Sequence, residues 1–330
     1  MSQVEDMLAT YRRLLLSREG AVQADLVRRW RRVEDALRGH IDALAADVAS
    51  LQGAGLPVSR NMVYRLERYR TLMGQLEVAQ RRYADAAAGI ITAEQQYAMQ
   101  LGFDWGTDAM AALARQTGIV ASLTRLDRTV VEAMAGYAAD GTPLADLLTA
   151  DYPATVAQIT DALVEGVALG YNPTKVARMM REAMAGNAQR ALVVARTETQ
   201  RAHRAATIES YRQSELIQTY TRRAAFGKRT CLACLLEDGR RYPVTETFSD
   251  HPNGRCVAIP DVPGMASPIT QTGREWFESQ DADMQREIMG DGHYNAWRAG
   301  EFRLEDASRM HRDPVWGESP RVVPLRELVR

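Results

Sequence analysis

The chain has 330 residues, a formal net charge of -1, 46% hydrophobic and 25% charged residues. That exceeds one ordinary domain and supplies apolar residues for two or three cores, which excludes a disordered or fibrous chain. No run of 18 apolar residues is present to span a membrane, and the acidic start Met1-Ser2-Gln3-Val4-Glu5-Asp6 lacks the basic head and apolar stretch of a secretory signal.

Charge is unevenly spread. From Arg190 to Arg229 there are nine basic and three acidic residues; from Thr230 to Met310 there are eight basic and 14 acidic. Such halves either pair with each other or leave a basic stretch for an anionic partner. Almost every basic residue is arginine, with Lys175 and Lys228 the only lysines.

In chain order, apolar residues at three- and four-residue spacing predict helix from Asp6 to Leu51, with a break at Ser17-Arg18-Glu19-Gly20. Gly53-Ala54-Gly55-Leu56-Pro57 then interrupts, and Ser59 is placed to cap the next helix. Met62, Leu66, Tyr69, Met73, Leu76, Gln80, Tyr83, Ala87 and Ile90 form a heptad seam with one polar interruption. The seam predicts a hairpin with the preceding helix, or less often a coiled coil between chains. Gly102-Phe103-Asp104-Trp105-Gly106 is expected to end it, giving an N-terminal region of residues 1–106.

A helical middle region, residues 107–186, follows. Asn172 reads as an N-cap with Pro173 in the first turn. A long helix is predicted from Asn187 to Ser214. Its small face, Ala191, Ala195, Thr199, Ala202 and Ala206, allows close approach of another backbone. Arg190, Arg196, Arg201, Arg204 and Arg212, interleaved with Glu198 and Glu209, read most simply as a solvated, paired face. Arg196 and Glu198 are expected to form a buried pair that sets this helix against the segment after it.

That segment carries the chemistry. Ile217–Phe226 and Cys256–Ile259 read as strands, and an Asp238-Gly239 turn signal predicts a hairpin between the two ligand pairs, Cys231 with Cys234 and His251 with Cys256. All three cysteines lie here: Cys231-Leu232-Ala233-Cys234, then His251, then Cys256. Three sulfurs and one imidazole nitrogen at this spacing suit a closed tetrahedral site for structural zinc, with no place left for a substrate water. A redox Cys-x-x-Cys needs a strand before it and a helix starting at the first thiol, whereas Phe226–Thr230 reads as loop. An odd cysteine count fits a reducing compartment better than a disulfide framework. The blocks 187–260 and 261–330 complete the division. The last holds a Pro-rich linker (Pro260–Pro268), helices over Thr272–Gln280 and Ala282–Met289, and a turn at Gly290–Tyr294. There Trp276, Phe277, Tyr294, Trp297, Phe302 and Trp316 are expected to build a small core. His203 and His293 read as lone histidines. The fold class is mainly α with a small α+β zinc-binding module: long helical hairpin, helical middle, zinc-knuckle β-hairpin and short-helix tail.

Several motifs in one order resemble the phage head morphogenesis family typified by the F protein of phage Mu. They are Gly170-Tyr171-Asn172-Pro173 with Lys175-Val176-Ala177-Arg178; Arg190-Ala191-Leu192 with Ala195-Arg196-Thr197-Glu198-Thr199; and Arg229-Thr230-Cys231 with Cys234, Asp238-Gly239 and His251-Pro252-Asn253-Gly254-Arg255-Cys256. Thr272-Gly273-Arg274-Glu275-Trp276-Phe277 extends the likeness to about residues 155–325. Many relatives carry cysteine where this chain has Gly254. The resemblance implies a non-enzymatic minor capsid protein near the portal vertex, inside the head, present in the host cytoplasm during assembly. Its partners would be the portal protein and the inner capsid shell or scaffold, and it would leave with the DNA. Arg222, Arg223, Lys228 and Arg229 are expected to make non-specific contact with packaged DNA. Two other readings stand beside this. One is a metal-dependent nuclease using His251 as base, with His293 and Asn295 too isolated to complete it. The other is a DNA-binding zinc module.

Overall fold

The computed structural model describes residues 3–56, 58–117, 128–263, 267 and 269–329. Pro57 and part of the linker at 260–268 lie outside them. Helix α1 (Gln3–Gly53) runs 51 residues without the break expected at Ser17–Gly20. One interior glycine costs about 1 kcal/mol, less than the burial of Leu15 and Leu26 on either side contributes. Ser59 caps α2 (Arg60–Arg65), its hydroxyl accepting from the Met62 N–H. Leu66 is extended, with ψ 127°, and α3 (Glu67–Thr117) starts after it.

The chain packs as two compact units drawn from separated stretches. One comprises Glu19–Thr92 and Thr142–Ala195; the other comprises Met1–Arg18, Ala93–Gly141 and Arg196–Arg330. The four sequence blocks divide the chain by composition, and these units cut it at different places.

In the first unit α1 and α3 lie antiparallel. Trp30 meets Tyr83 edge-on at 5.0 Å between centroids, and Arg68 pairs with Asp47 at 2.5 Å. The buried positions of α3 repeat every 11 residues: Tyr69, Gln80 and Ile91; Leu72, Tyr83 and Glu94; Leu76, Ala87 and Ala98. Eleven residues in three turns is 3.67 per turn, close to a straight helix, so the expected heptad drifts. Leu72 and Ile91 therefore take the core places assigned to Met73 and Ile90. Gln80, the polar interruption, donates to Asn187 Oδ1 at 3.0 Å. The helices α5 (Leu144–Thr149), α6 (Tyr152–Ala168) and α7 (Pro173–Met184) complete this unit, together with the start of α8 (Gly186–Arg212). Asn172 caps α7 by accepting from the Lys175 N–H, as the sequence predicts.

The second unit contains the start of α1, the end of α3, α4 (Arg128–Met134) and most of α8. Helix α3 continues through Gly102-Phe103-Asp104-Trp105-Gly106 to Thr117. Those glycines mark a helix crossing, not a helix end. A Cβ on Gly102 would lie 2.2 Å from the His203 carbonyl oxygen, and one on Gly106 would lie 1.9 Å from Ser210 Oγ. Buried Ala202 and Ala206 supply the small face of α8 on the other side. The expected solvated face fails here: Glu198 and Arg204 are buried.

Beyond α8 lies a three-stranded antiparallel sheet ordered β2-β1-β3, from β1 (Thr219–Arg223), β2 (Arg241–Pro243) and β3 (Val257–Asp261). The Asp238-Gly239 turn, with Gly239 at φ +88°, returns the chain onto β1, so β2 pairs with a strand that precedes the first two cysteines and the hairpin does not form within the span between the two ligand pairs. Trp105 Nε1 and the Tyr211 hydroxyl both donate to the Ala258 carbonyl, fixing β3 to α3 and α8.

Short helix α9 (Leu232–Leu236) precedes β2, and the tail contains α10 (Gly273–Glu278), α11 (Ala282–Met289) and α12 (Asp291–Arg298). The last forms where a turn was expected, because Gly290 at φ +77° both ends α11 and starts α12. Phe277, Tyr294 and Phe302 are in the core as expected. Strands β4 (Ser308–Asp313) and β5 (Gly317–Val322) form a hairpin the sequence reading missed; only Ser319 and Pro320 are buried in it, so no alternating apolar pattern announced it.

Two outcomes follow. Gly102→Ala should destabilise the protein by about 1–3 kcal/mol through the clash with α8, measurable as a lower urea midpoint. His203 is 2% exposed with neither ring nitrogen hydrogen-bonded, and burial pushes its pKa from 6.5 down to about 3. The unfolded chain takes up a proton there that the folded chain refuses. Stability should therefore fall as pH drops from 6.5 toward 3, this residue adding about 1.4 kcal/mol per pH unit inside that window. His203→Leu should flatten that slope.

Candidate metal centre

The central strand β1 has buried side chains on both faces, and successive residues point opposite ways. Arg222 and Arg223 are 1% and 7% exposed, so one long cation is buried on each side of the sheet. An unpaired buried charge is prohibitively costly, and each arginine meets an aspartate at 2.9 Å: Asp250 for Arg222, Asp238 for Arg223. Arg223 also reaches Glu5 and the Gln271 carbonyl.

On the Arg222 face the sulfurs gather. Cys231 is the N-cap residue of α9, Cys234 lies within it, and Cys256 immediately precedes β3. A helix does begin at the first thiol, but Phe226–Thr230 before it is loop, as read, and not the strand a redox site needs. What distinguishes the site from a simple dithiol is what joins it. Cys231, Cys234 and His251 bring ligand atoms within 4.8 Å of one another, and so do Cys234, Asp250 and Cys256. The four sequence-derived ligands thus form two overlapping triads that share Cys234, with Asp250 added.

His251 Nδ1 lies 2.8 Å from the Pro252 carbonyl, while Nε2 lies 3.2 Å from Cys234 Sγ. A proton on Nδ1 satisfies the carbonyl, and loss of the other ring proton to a metal would turn the Nε2 lone pair toward the sulfurs. This is the arrangement a metal-bound imidazole adopts. Arg222 Nη2 donates to Asp250 Oδ1 and lies 3.3 Å from Cys256 Sγ and 3.5 Å from Cys234 Sγ. Three sulfurs, one nitrogen lone pair and a cation on the sulfurs suit zinc by donor chemistry.

Asp250 organises the loop. It accepts from the backbone N–H groups of His251 and Cys256 at 3.1 Å, besides Arg222, with Arg204 3.8 Å away. Burial pushes its pKa up, but Arg222 and Arg204 outweigh that and hold the carboxyl below its ordinary value. The Phe248 ring lies under both guanidinium groups, at 4.7 Å and 5.4 Å. A Cβ on Gly254 would fall 2.2 Å from Asp250 Cγ, so the carboxylate occupies the space a side chain at 254 would need. Among the thiols, hydrogen bonding to Cys234 brings Cys231 down to about 4 and lowers Cys256, while Cys234 is raised. Burial pulls His251 down, but Cys231 and Asp250 outweigh it and lift it to about 9.

Helix α8 holds the loop from outside. Arg196 donates to Asn253 Oδ1 at 2.8 Å, and Thr197 Oγ1 accepts from the Asn253 N–H at 3.0 Å. Asn253 sits at φ +66°. Glu198 pairs with Arg201 rather than Arg196, and it also accepts from Trp316 Nε1. The expected arginine-glutamate contact is therefore replaced by Arg196–Asn253. Buried Arg222 and Arg223 cannot lie on DNA, which corrects that part of the expectation. Lys228 and Arg229 are exposed and line a cleft of about 260 Å³ bordered by Cys231 and His251. His293 bonds the Val323 carbonyl.

Residues 157–259 match the family model described as phage Mu protein F like protein. This segment is phage Mu F-like. It contains all four candidate ligands, the three strands' pairing residues through Ile259, and the Arg196-Thr197-Glu198 stretch that holds the loop. Comparison with curated proteins and with solved structures gives no match. The match is to that segment, about a third of the chain. No described helix is long and apolar enough to cross a membrane.

Gly254→Ala should displace the Asp250 carboxylate and leave Arg222 buried without its partner. A loss of about 3 kcal/mol or more is expected, read from urea unfolding.

Proposed function

We propose that this protein is a structural minor head protein of a tailed phage or prophage, acting at the portal vertex, with zinc holding the segment around its three-stranded sheet. The observation that carries this reading is the coincidence of the phage Mu F-like segment with the cysteine-histidine cluster. The residues that would hold zinc are Cys231, Cys234, His251 and Cys256. The metal would supply cross-linking between α9, the 250–256 loop and the start of β3. No step of chemistry is assigned to it, because His251 is spoken for as a ligand and a closed set offers no site for water.

Partners follow the family: portal protein, inner shell or scaffold, inside the head. Exposed Lys228 and Arg229 remain as a limited contact for packaged DNA; such binding would weaken steeply with salt and show little sequence preference.

Cys234→Ala should abolish metal binding and render residues 217–260 sensitive to limited proteolysis, while α1 and α3 persist by circular dichroism. Structural zinc in small modules contributes on the order of 10 kcal/mol to the local fold. Purified proheads should contain the wild-type protein together with the portal. Deletion of the gene should leave heads that assemble but give few infectious particles. Metal-dependent DNA cleavage lost in His251→Ala, with zinc retained, would overturn the structural reading in favour of a nuclease.

A further inference from the structure

We propose that Arg222 caps the cysteine-histidine centre from inside the sheet, as a positioning residue whose N–H groups hold the Cys234 and Cys256 sulfurs and suppress their reactivity. This rests on the zinc reading above and adds to it a residue outside the ligand set. Arg222 is 1% exposed, and its side chain reaches the sulfurs from β1, the central strand, where Ala258 opposite it in the register leaves room for a long side chain. One terminal nitrogen, Nη2, lies 2.9 Å from Asp250 Oδ1, 3.3 Å from Cys256 Sγ and 3.5 Å from Cys234 Sγ.

The charges explain why a cation belongs there. Zinc with three thiolates and a neutral imidazole carries one net negative charge. A buried anion requires a partner. Asp250 adds a second negative charge beside it, and Arg222 and Arg204 supply two positive ones. With those four groups counted together the centre is neutral. Arg204 Nη1 is 3.8 Å from Asp250 and makes no hydrogen bond, so of the two arginines Arg222 is the one with sulfur contacts. Phe248 under both guanidinium planes holds them in place.

An N–H donated to a metal-bound sulfur draws electron density from it and lowers its nucleophilicity. Two of the three sulfurs receive this contact, and Cys231 does not. All three cysteines line the same cleft, and the difference in contact gives an internal control: Cys234 and Cys256 are restrained by Arg222, while half-buried Cys231 is not.

The test is site-resolved alkylation of the full-length zinc-loaded protein by N-ethylmaleimide, followed by mass spectrometry. Zinc release is read in parallel with a chromophoric chelator. Arg222→Met should raise alkylation of Cys234 and Cys256 relative to Cys231 by about tenfold, the scale of one charge-assisted hydrogen bond. Zinc release should accelerate with it, and the metal content before challenge should stay at that of wild type. Arg222→Lys keeps the charge but presents a single point donor, and should fall between the two. Unchanged Cys234-to-Cys231 and Cys256-to-Cys231 ratios in both variants would overturn the capping role. If Arg222→Met does not hold its fold, the Arg222→Lys ratio decides alone. A fall in alkylation at Cys234 and Cys256 would also overturn it. Zinc-free wild-type protein would instead strike at the zinc reading itself.

Discussion

Asp250 is a carboxylate 3% exposed, and burying it would cost several kcal/mol if it stood alone. It does not stand alone. Arg222 donates to it, Arg204 lies near it, and the N–H groups of His251 and Cys256 close on its two oxygens. Each of those contacts fixes something the centre needs: the loop carrying His251, the start of β3 carrying Cys256, and the arginine lying on the sulfurs. Gly254 follows from the same carboxylate, because no side chain fits against it. A single buried acid thus sets the backbone path and the electrostatics of the whole centre.

The sheet has the same logic on its other face. Arg223 is held by Asp238, which also accepts from the N–H groups of Ala224 and Gly273. Two adjacent arginines in one strand, facing opposite ways, thereby tie the sheet to the 250–256 loop on one side and to the start of α10 on the other. Arg12 of α1 adds two bonds to the backbone carbonyls of Arg223 and Ala224. The long helices supply the rigid frame: Trp105 of α3 and Tyr211 of α8 converge on one carbonyl of β3.

Much of this was legible in the chain. The antiparallel pairing of α1 and α3, the capping by Ser59 and Asn172, the long α8 and the strands β1 and β3 all follow from periodicity and end signals. The clustering of Cys231, Cys234 and His251 was legible from spacing alone. What was not legible has a common cause. Gly102 and Gly106 look like punctuation in sequence, but in space they are the gap that admits α8. Arg222 and Arg223 look like a basic surface, because their acidic partners lie 15 and 28 residues away in the chain. Arg204 looks solvated for the same reason, its partner Asp250 being distant in the chain, and Glu198 is covered by Trp316 from a segment more distant still. Burial of a charge depends on a partner that no local pattern reveals.

The most direct test of a metal centre built on this loop is zinc-edge X-ray absorption on the purified full-length protein. Three sulfurs and one nitrogen in the first coordination sphere, at distances of about 2.3 Å and 2.0 Å, are the expected result. A sphere of oxygen and nitrogen alone, or no bound zinc, would contradict it.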